Sequence, residues 1–240
     1  MKALILALLA TAFLSSCASR PTPQAESLPS VVKVQAATPQ EGLDALTAGN
    51  RRFVQNEMRG QDYHQQIDKT KNGQKPYAVV LSCLDSRVPV EIVFDQGIGE
   101  LFVARVAGNI ENDDILGSME FGTAAMGAKL IVVLGHTKCG AVKGACNNVK
   151  LGHLTGLLKK IEPAAAQAKK EIPNFNPESY EHVDHASELN VKLTVERIRK
   201  KSKIIRDLEA QGKVRLVGAM YDISSGKVEF LPDQTVNASK

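Results

Sequence analysis

Five short, mostly apolar runs punctuate the chain: YAVVLSC (77–83), LFVARVAG (101–108), KLIVVLGH (129–136), VRLVGAMYD (214–222) and VEFL (228–231). The first four are nearly continuous in Val, Leu, Ile and Ala rather than alternating, as expected of parallel strands covered on both faces. Longer stretches between them carry helical spacing and predict helices over about 113–127, 139–148, 153–170 and 178–211, the last two interrupted or begun near Pro163 and Pro177. Thr38-Pro39 reads as an N-cap followed by a first-turn proline, opening a further helix with Leu43, Leu46 and Phe53 on its apolar side. The turn DISSGK between the last two strands is too short for a crossover, so the fifth strand is expected to run antiparallel to the fourth. The expected fold class is α/β: a mixed sheet of four parallel strands and one antiparallel edge strand, flanked by helices.

Composition refines this picture at the N-terminus. Met1 and Lys2 precede the apolar run Ala3 to Leu14, too short to span a bilayer but suited to a secretory signal. The LSSC that follows resembles a bacterial lipobox, in which Cys17 becomes the acylated first residue; a cleaved signal with an incidental cysteine is the other reading. Residues 1–16 are thus expected to be a lipoprotein signal peptide, and 17–38, rich in Pro, Ser, Ala and Thr, a lipidated N-terminus and tether. Residues 39–240 form the single expected domain. Ala18, in place of Asp after the cysteine, implies the periplasmic side of the outer membrane. With a formal charge of +4 and basic residues scattered except around Arg197 to Lys203, a nucleic-acid partner is not expected, because phosphate binding needs a concentrated basic surface.

Chemistry concentrates where two of the parallel strands end. The first ends in Cys83, followed by Asp85 and Arg87; the third ends in GHTKCG, which supplies His136 and Cys139. In open α/β sheets the functional crevice lies outside the carboxyl ends of parallel strands. His136 and Cys139 sit three apart on a strand-to-helix turn. With Cys83 they make a Cys2His set, one of those found in catalytic zinc sites that keep a fourth position open. The competing readings are buried small hydrophobes or a disulfide between Cys83 and Cys139, and both leave His136, Asp85 and Arg87 without a common purpose. Cys146 is read as core, and His182 and His185, although at helical metal spacing, as solvated polar residues.

SCLDSRVPVE, GELFVARVAGN, SMEFG, AKLIVVLGHTKCGAVKGA and YDISSGKVEFL, in this order, resemble the β-class carbonic anhydrases, with a weaker extension to GNRRFV. The resemblance implies one Zn²⁺ per chain on Cys83, His136 and Cys139, with Asp85 and Arg87 as a catalytic dyad. Zinc would acidify a bound water to supply a nucleophile for CO2, Asp85 would orient it, and Arg87 would hold Asp85 off the metal. It further implies a substrate-pocket role for Gln96, Val106, Ala107, Gly108, Asn109 and Phe121, the last replacing a tyrosine common in relatives. A homodimer or homotetramer is implied too. One branch of the family is inhibited by bicarbonate at a site that uses a tryptophan; this chain has none, so that form of inhibition is not expected. The expected function is reversible hydration of CO2 to bicarbonate by a lipid-anchored envelope enzyme. The alternatives are a non-catalytic zinc lipoprotein on the same scaffold and a hydrolase of a related heterocumulene such as carbon disulfide.

Overall fold

A computed structural model describes residues 36–232. The expected signal peptide, Cys17 and most of the expected tether lie outside the described residues. Helix α1 (Pro39–Gln55) opens as expected, with a capping box: the Thr38 side chain accepts from the Glu41 N–H, and the Glu41 carboxylate accepts from the Thr38 N–H. The strands are β1 (Ala78–Ser82), β2 (Leu101–Arg105), β3 (Leu130–His136), β4 (Arg215–Tyr221) and β5 (Val228–Phe230), in the spatial order β2-β1-β3-β4-β5. The first four pair in parallel, and β4–β5 is antiparallel. The sequence therefore anticipated all five strands and their directions.

One face of the sheet packs on α1 and the short α3 (Val90–Val93), burying Val80, Leu134, Leu46, Val93 and Phe94. The opposite face, with Val79, Leu81, Ile131 and Val133, packs on α8 (Tyr180–Lys201) and α9 (Lys203–Ala210). Glycine at position 49 lets α1 lie directly on the Phe94 backbone, since a Cβ there would overlap the Phe94 carbonyl oxygen. The next residue fixes this contact. Asn50 donates to the carbonyls of Val93 (3.1 Å) and Gly226 (2.9 Å) and accepts from the Val228 N–H (2.8 Å).

Several helix boundaries differ from expectation. The helix expected over 113–127 is α-helical only as α4 (Asp113–Glu120) and widens into a π turn over Phe121–Ala125, where the Thr123 hydroxyl bonds back to the Met119 carbonyl. The long C-terminal helix breaks at Ser202, whose hydroxyl caps α9 by accepting from the Ile205 N–H and donates to Glu120. Inside a run of Lys and Arg, that single serine gave no visible stop signal. As the proline implied, Pro163 begins α7 (Glu162–Glu171) after α6 (Gly152–Leu158). Helix α2 (Tyr63–Thr70) and the four-residue α3 were not anticipated, being polar and very short respectively.

Strand order fixes where a site can form. From β1 the chain moves to β2 on one side and to β3 on the other, so the topological switch point lies between β1 and β3. Helices leading away from strands on either side of such a point leave a crevice at the carboxyl ends. Cys83 follows β1 and His136 ends β3, so both stand at that crevice.

Candidate metal centre

Cys83, His136 and Cys139 come together there, all buried, with their ligand atoms within 4.8 Å of one another. Each is placed by its backbone. Ser82 pairs with Leu134, which sets Cys83 just past the end of β1 beside the last residues of β3. Between His136 and Cys139 the chain turns back through Lys138, a non-glycine residue at φ 56°, whose N–H is accepted by the Asp184 carboxylate of α8 at 2.6 Å. Cys139 is the N-cap residue of α5 (Gly140–Cys146), so its thiol faces the amino end of a helix.

The donor chemistry fits a soft divalent cation. His136 Nδ1 lies 2.9 Å from the Thr137 carbonyl oxygen; a carbonyl only accepts, so Nδ1 carries the proton. This leaves Nε2 with its lone pair free, and that atom is buried without a hydrogen-bond partner. A buried acceptor aimed at two thiols is costly unless something electrophilic fills the gap. The Cys83 thiol is held well below its ordinary range, first by the hydrogen bond from Cys139 and then, against burial, by the Gly108 and Asp85 N–H groups. Cys139 is correspondingly pushed up by the neighbouring Cys83 and by burial. Two thiolates and a neutral imidazole offset the charge of Zn²⁺ and leave a fourth position, the ligand count of a catalytic site.

Asp85 is not part of the donor set. Arg87 holds it in a bidentate pair, Nε to Oδ1 at 2.9 Å and Nη2 to Oδ2 at 2.7 Å, while the Arg87 N–H donates to Oδ1 at 3.0 Å. These bonds keep the carboxyl at about 2, well below the usual range, despite partial burial. Its Oδ2 still comes within 3.9 Å of His136 Nε2, so the carboxylate stands beside the donor set. Arg87 is itself oriented by the Lys138 carbonyl at 3.3 Å.

Of the other residues anticipated for the pocket, Gly108 donates its N–H to Cys83 Sγ at 3.3 Å, and Asn109 is buried next to it. Val106 packs against the apolar cluster that contains Cys83 and Cys139, and Ala107 is half-buried on the same segment. Gln96 and Phe121 are not brought to the cluster within one chain. Gln96 accepts from the Tyr77 hydroxyl at 2.9 Å, beside the amino end of β1, whereas Cys83 follows its carboxyl end. Phe121 lies edge-on to Phe102, which pairs with Val79 near the start of β1, and is 54% exposed. Position along the chain could not reveal this, because the turn before Gln96 and the helix before Phe121 take their directions from packing. Cys146 is core, in line with expectation. His182 packs at a tilt against Phe175 and His185 pairs with Glu171, so the two do not converge on a metal.

Sequence reasoning assigned no role to Arg105. Its guanidinium donates to the Cys83 carbonyl (3.0 Å) and the Asp85 carbonyl (2.6 Å), bracing the turn that carries the Cys83 thiol and the carboxylate. The residue was visible in FVARVAGN, but nothing local pointed it at that turn.

Three protein donors and a tethered carboxylate at an α/β switch point define a metalloenzyme of the open-site type rather than a structural zinc knot. The chain belongs to the β-carbonic anhydrase family. A family model described as carbonic anhydrase matches residues 78–228. The chain is 35% identical to carbonic anhydrase 2 of Mycobacterium tuberculosis over 191 residues, covering 76% of this chain and 88% of that protein. It is 34% identical to the carbonic anhydrase of Mycolicibacterium smegmatis over 204 residues, covering 81% of this chain and 94% of that protein. Among solved structures, the β-carbonic anhydrase CafA of Aspergillus fumigatus superposes with a TM-score of 0.65 at 27% identity, covering 79% of this chain and 90% of that one. The protein is a carbonic anhydrase with zinc as its cofactor, and the Cys83, His136 and Cys139 cluster can hold that metal.

Proposed function

We propose that the chain hydrates CO2 reversibly at a zinc ion held by Cys83, His136 and Cys139, with Asp85 and Arg87 as its catalytic dyad. The observation that carries this reading is the buried, unpartnered His136 Nε2 facing two thiols, with the neighbouring carboxylate tied to Arg87 instead of entering the donor set. When bound, zinc lowers the pKa of water toward neutrality and so supplies a nucleophile. Asp85, ionised throughout the neutral range, would accept a hydrogen bond from that nucleophile and orient it toward the substrate carbon. Arg87 keeps the carboxylate from occupying the fourth position itself. Val106 and Ala107 offer an apolar wall, which suits a substrate with little polarity. Stopped-flow CO2 hydration with metal analysis on the purified protein tests the proposal. About one zinc per chain and a rate far above buffer are expected, whereas folded protein with zinc well below one per chain would end it.

The finer oligomeric reading is pairing of two copies across β2. This strand bonds to β1 on one side only and sits at the end of the sheet. Its Leu101, Phe102, Val103 and Ala104 are all half-buried in the single chain, and Phe121 and Ile98 are exposed nearby. An apolar edge of this kind is a template for another strand, and a second copy related by a two-fold axis covers it symmetrically. Light scattering should give at least a dimer mass, and Phe121→Lys should shift it toward the single chain; an unchanged mass would place the interface elsewhere.

We also propose that Cys17 is acylated and anchors the enzyme in the cell envelope, on the strength of the LSSC pattern after an apolar run. Metabolic labelling with palmitate should mark the protein and be lost in Cys17→Ser. Labelling that survives the substitution would rule out Cys17 as the anchor. Among the described residues no helix is long and apolar enough to cross a membrane.

A further inference from the structure

Helix α8 carries a stripe of polar side chains at Asn190, Thr194, Arg197 and Lys201, spaced by four, three and four residues and therefore on one face. This stripe grips the segment 108–111. Asn190, fully buried, donates from Nδ2 to the Gly108 carbonyl at 2.8 Å. Arg197 Nε and Lys201 Nζ donate to the two carboxylate oxygens of buried Glu111 at 2.8 and 2.9 Å, and Arg197 also reaches Thr194 Oγ1. Burial would raise the Glu111 carboxyl, but the bonds from Lys201 and Arg197 outweigh it and hold the group below its ordinary range.

The gripped segment begins at the residue whose N–H meets Cys83 Sγ at 3.3 Å. Gly108 sits at φ 70°, where L side chains are strained, and a Cβ would overlap Ile161 Cδ1. Only glycine fits there, yet glycine holds no conformation by itself. Its N–H, in the peptide before it, meets the thiol, and its carbonyl, in the peptide after it, must be held as well for the two soft dihedrals between them to keep that aim. Asn190 does this from a helix that contributes no donor to the metal cluster.

We propose that Asn190 is a positioning residue for the metal centre: through Gly108 it aims an N–H···S hydrogen bond at the Cys83 thiolate and thereby sets the affinity of the site for zinc. The inference rests on the assignment of Cys83, His136 and Cys139 as ligands. Hydrogen bonds to ligand atoms orient them and tune their basicity, and losing such a partner costs about 10–100-fold in metal affinity.

The test compares the full-length protein with Asn190→Leu, which keeps the number and branching of side-chain heavy atoms and removes the donor, and with Ile198→Val, a core change on the same helix where it packs against the sheet. Zinc dissociation constants come from chelator competition at fixed pH, and the thiolate-to-metal charge-transfer band is read after cobalt substitution. Asn190→Leu should weaken zinc binding about 10–100-fold and shift the cobalt band, whereas Ile198→Val should do neither. Should Asn190→Leu fail to fold, Asn190→Ser, too short to reach Gly108, takes its place in the same comparison. Zinc affinity within twofold of the unaltered protein together with an unchanged cobalt spectrum would overturn the inference while leaving the ligand assignment standing. If the unaltered protein itself binds no zinc, the ligand assignment falls and this inference falls with it.

Discussion

Cys139→Ala is expected to give a folded protein with little zinc and CO2 hydration reduced by more than about 100-fold, because loss of a ligand exceeds the loss of a ligand's hydrogen-bond partner. Cys139 is one of only two sulfur donors in the cluster, so its removal leaves one thiolate and one imidazole to balance a divalent ion. The packing cost is small, since cysteine behaves as a small hydrophobe and alanine occupies most of its volume. An internal comparison separates chemistry from packing. Cys146 is equally buried and ends the helix that Cys139 caps, but it lies outside the donor set. Cys146→Ala should therefore keep both zinc and rate. Metal per chain and stopped-flow rates on the two variants decide the matter: one zinc per chain retained in Cys139→Ala, or zinc lost in Cys146→Ala, would refute the assignment of ligands.

Asp85→Ala is expected to keep the metal and lose about 10²–10⁴-fold in rate, the range found when a positioned proton-handling group is removed. Arg87→Ala should also slow the reaction, for a different reason. Without its bidentate partner, Asp85 is free to turn toward the donor set, which its Oδ2 already approaches to 3.9 Å from His136 Nε2. The guanidinium is the main cause of the low Asp85 pKa, so Arg87→Ala should also let that pKa rise and move the acid limb of the pH–rate profile upward. If Arg87 acts through Asp85, the two losses cannot add. The double variant should be no more than a few-fold slower than Asp85→Ala alone. Fully additive losses would show that Arg87 contacts substrate independently.

The legibility of this chain varied with the range of the interaction involved. The inner strands β1, β3 and β4 could be read because each buries both faces and so needs a continuous apolar run. The start of α1 could be read because a capping box is complete within four residues. The π turn after Glu120 and the break at Ser202 were hidden, since each depends on what the segment packs against: Gly122 close to Val79 and Phe102, and Ser202 bonded to Glu120. Gln96 and Phe121 illustrate the same limit at the level of function. The resemblance implied a pocket role for both; within one chain their contacts are with Tyr77 and Phe102, away from the metal cluster.

By itself the sequence determined the inventory: two cysteines and a histidine at or just past strand ends, a carboxylate two residues past the first cysteine, and an arginine two residues beyond that. Local geometry fixes these, because neighbours two or three apart on a turn have few ways to point. Tertiary structure alone decided how they are used. The β2-β1-β3 order makes Cys83 a neighbour of His136 and Cys139; Arg105 braces the turn between Cys83 and Asp85; and α8 grips the loop that offers Gly108 to the thiol. Each of these contacts joins residues distant in the chain. Their formation waits on strand pairing and helix packing, which no local pattern of residue types encodes.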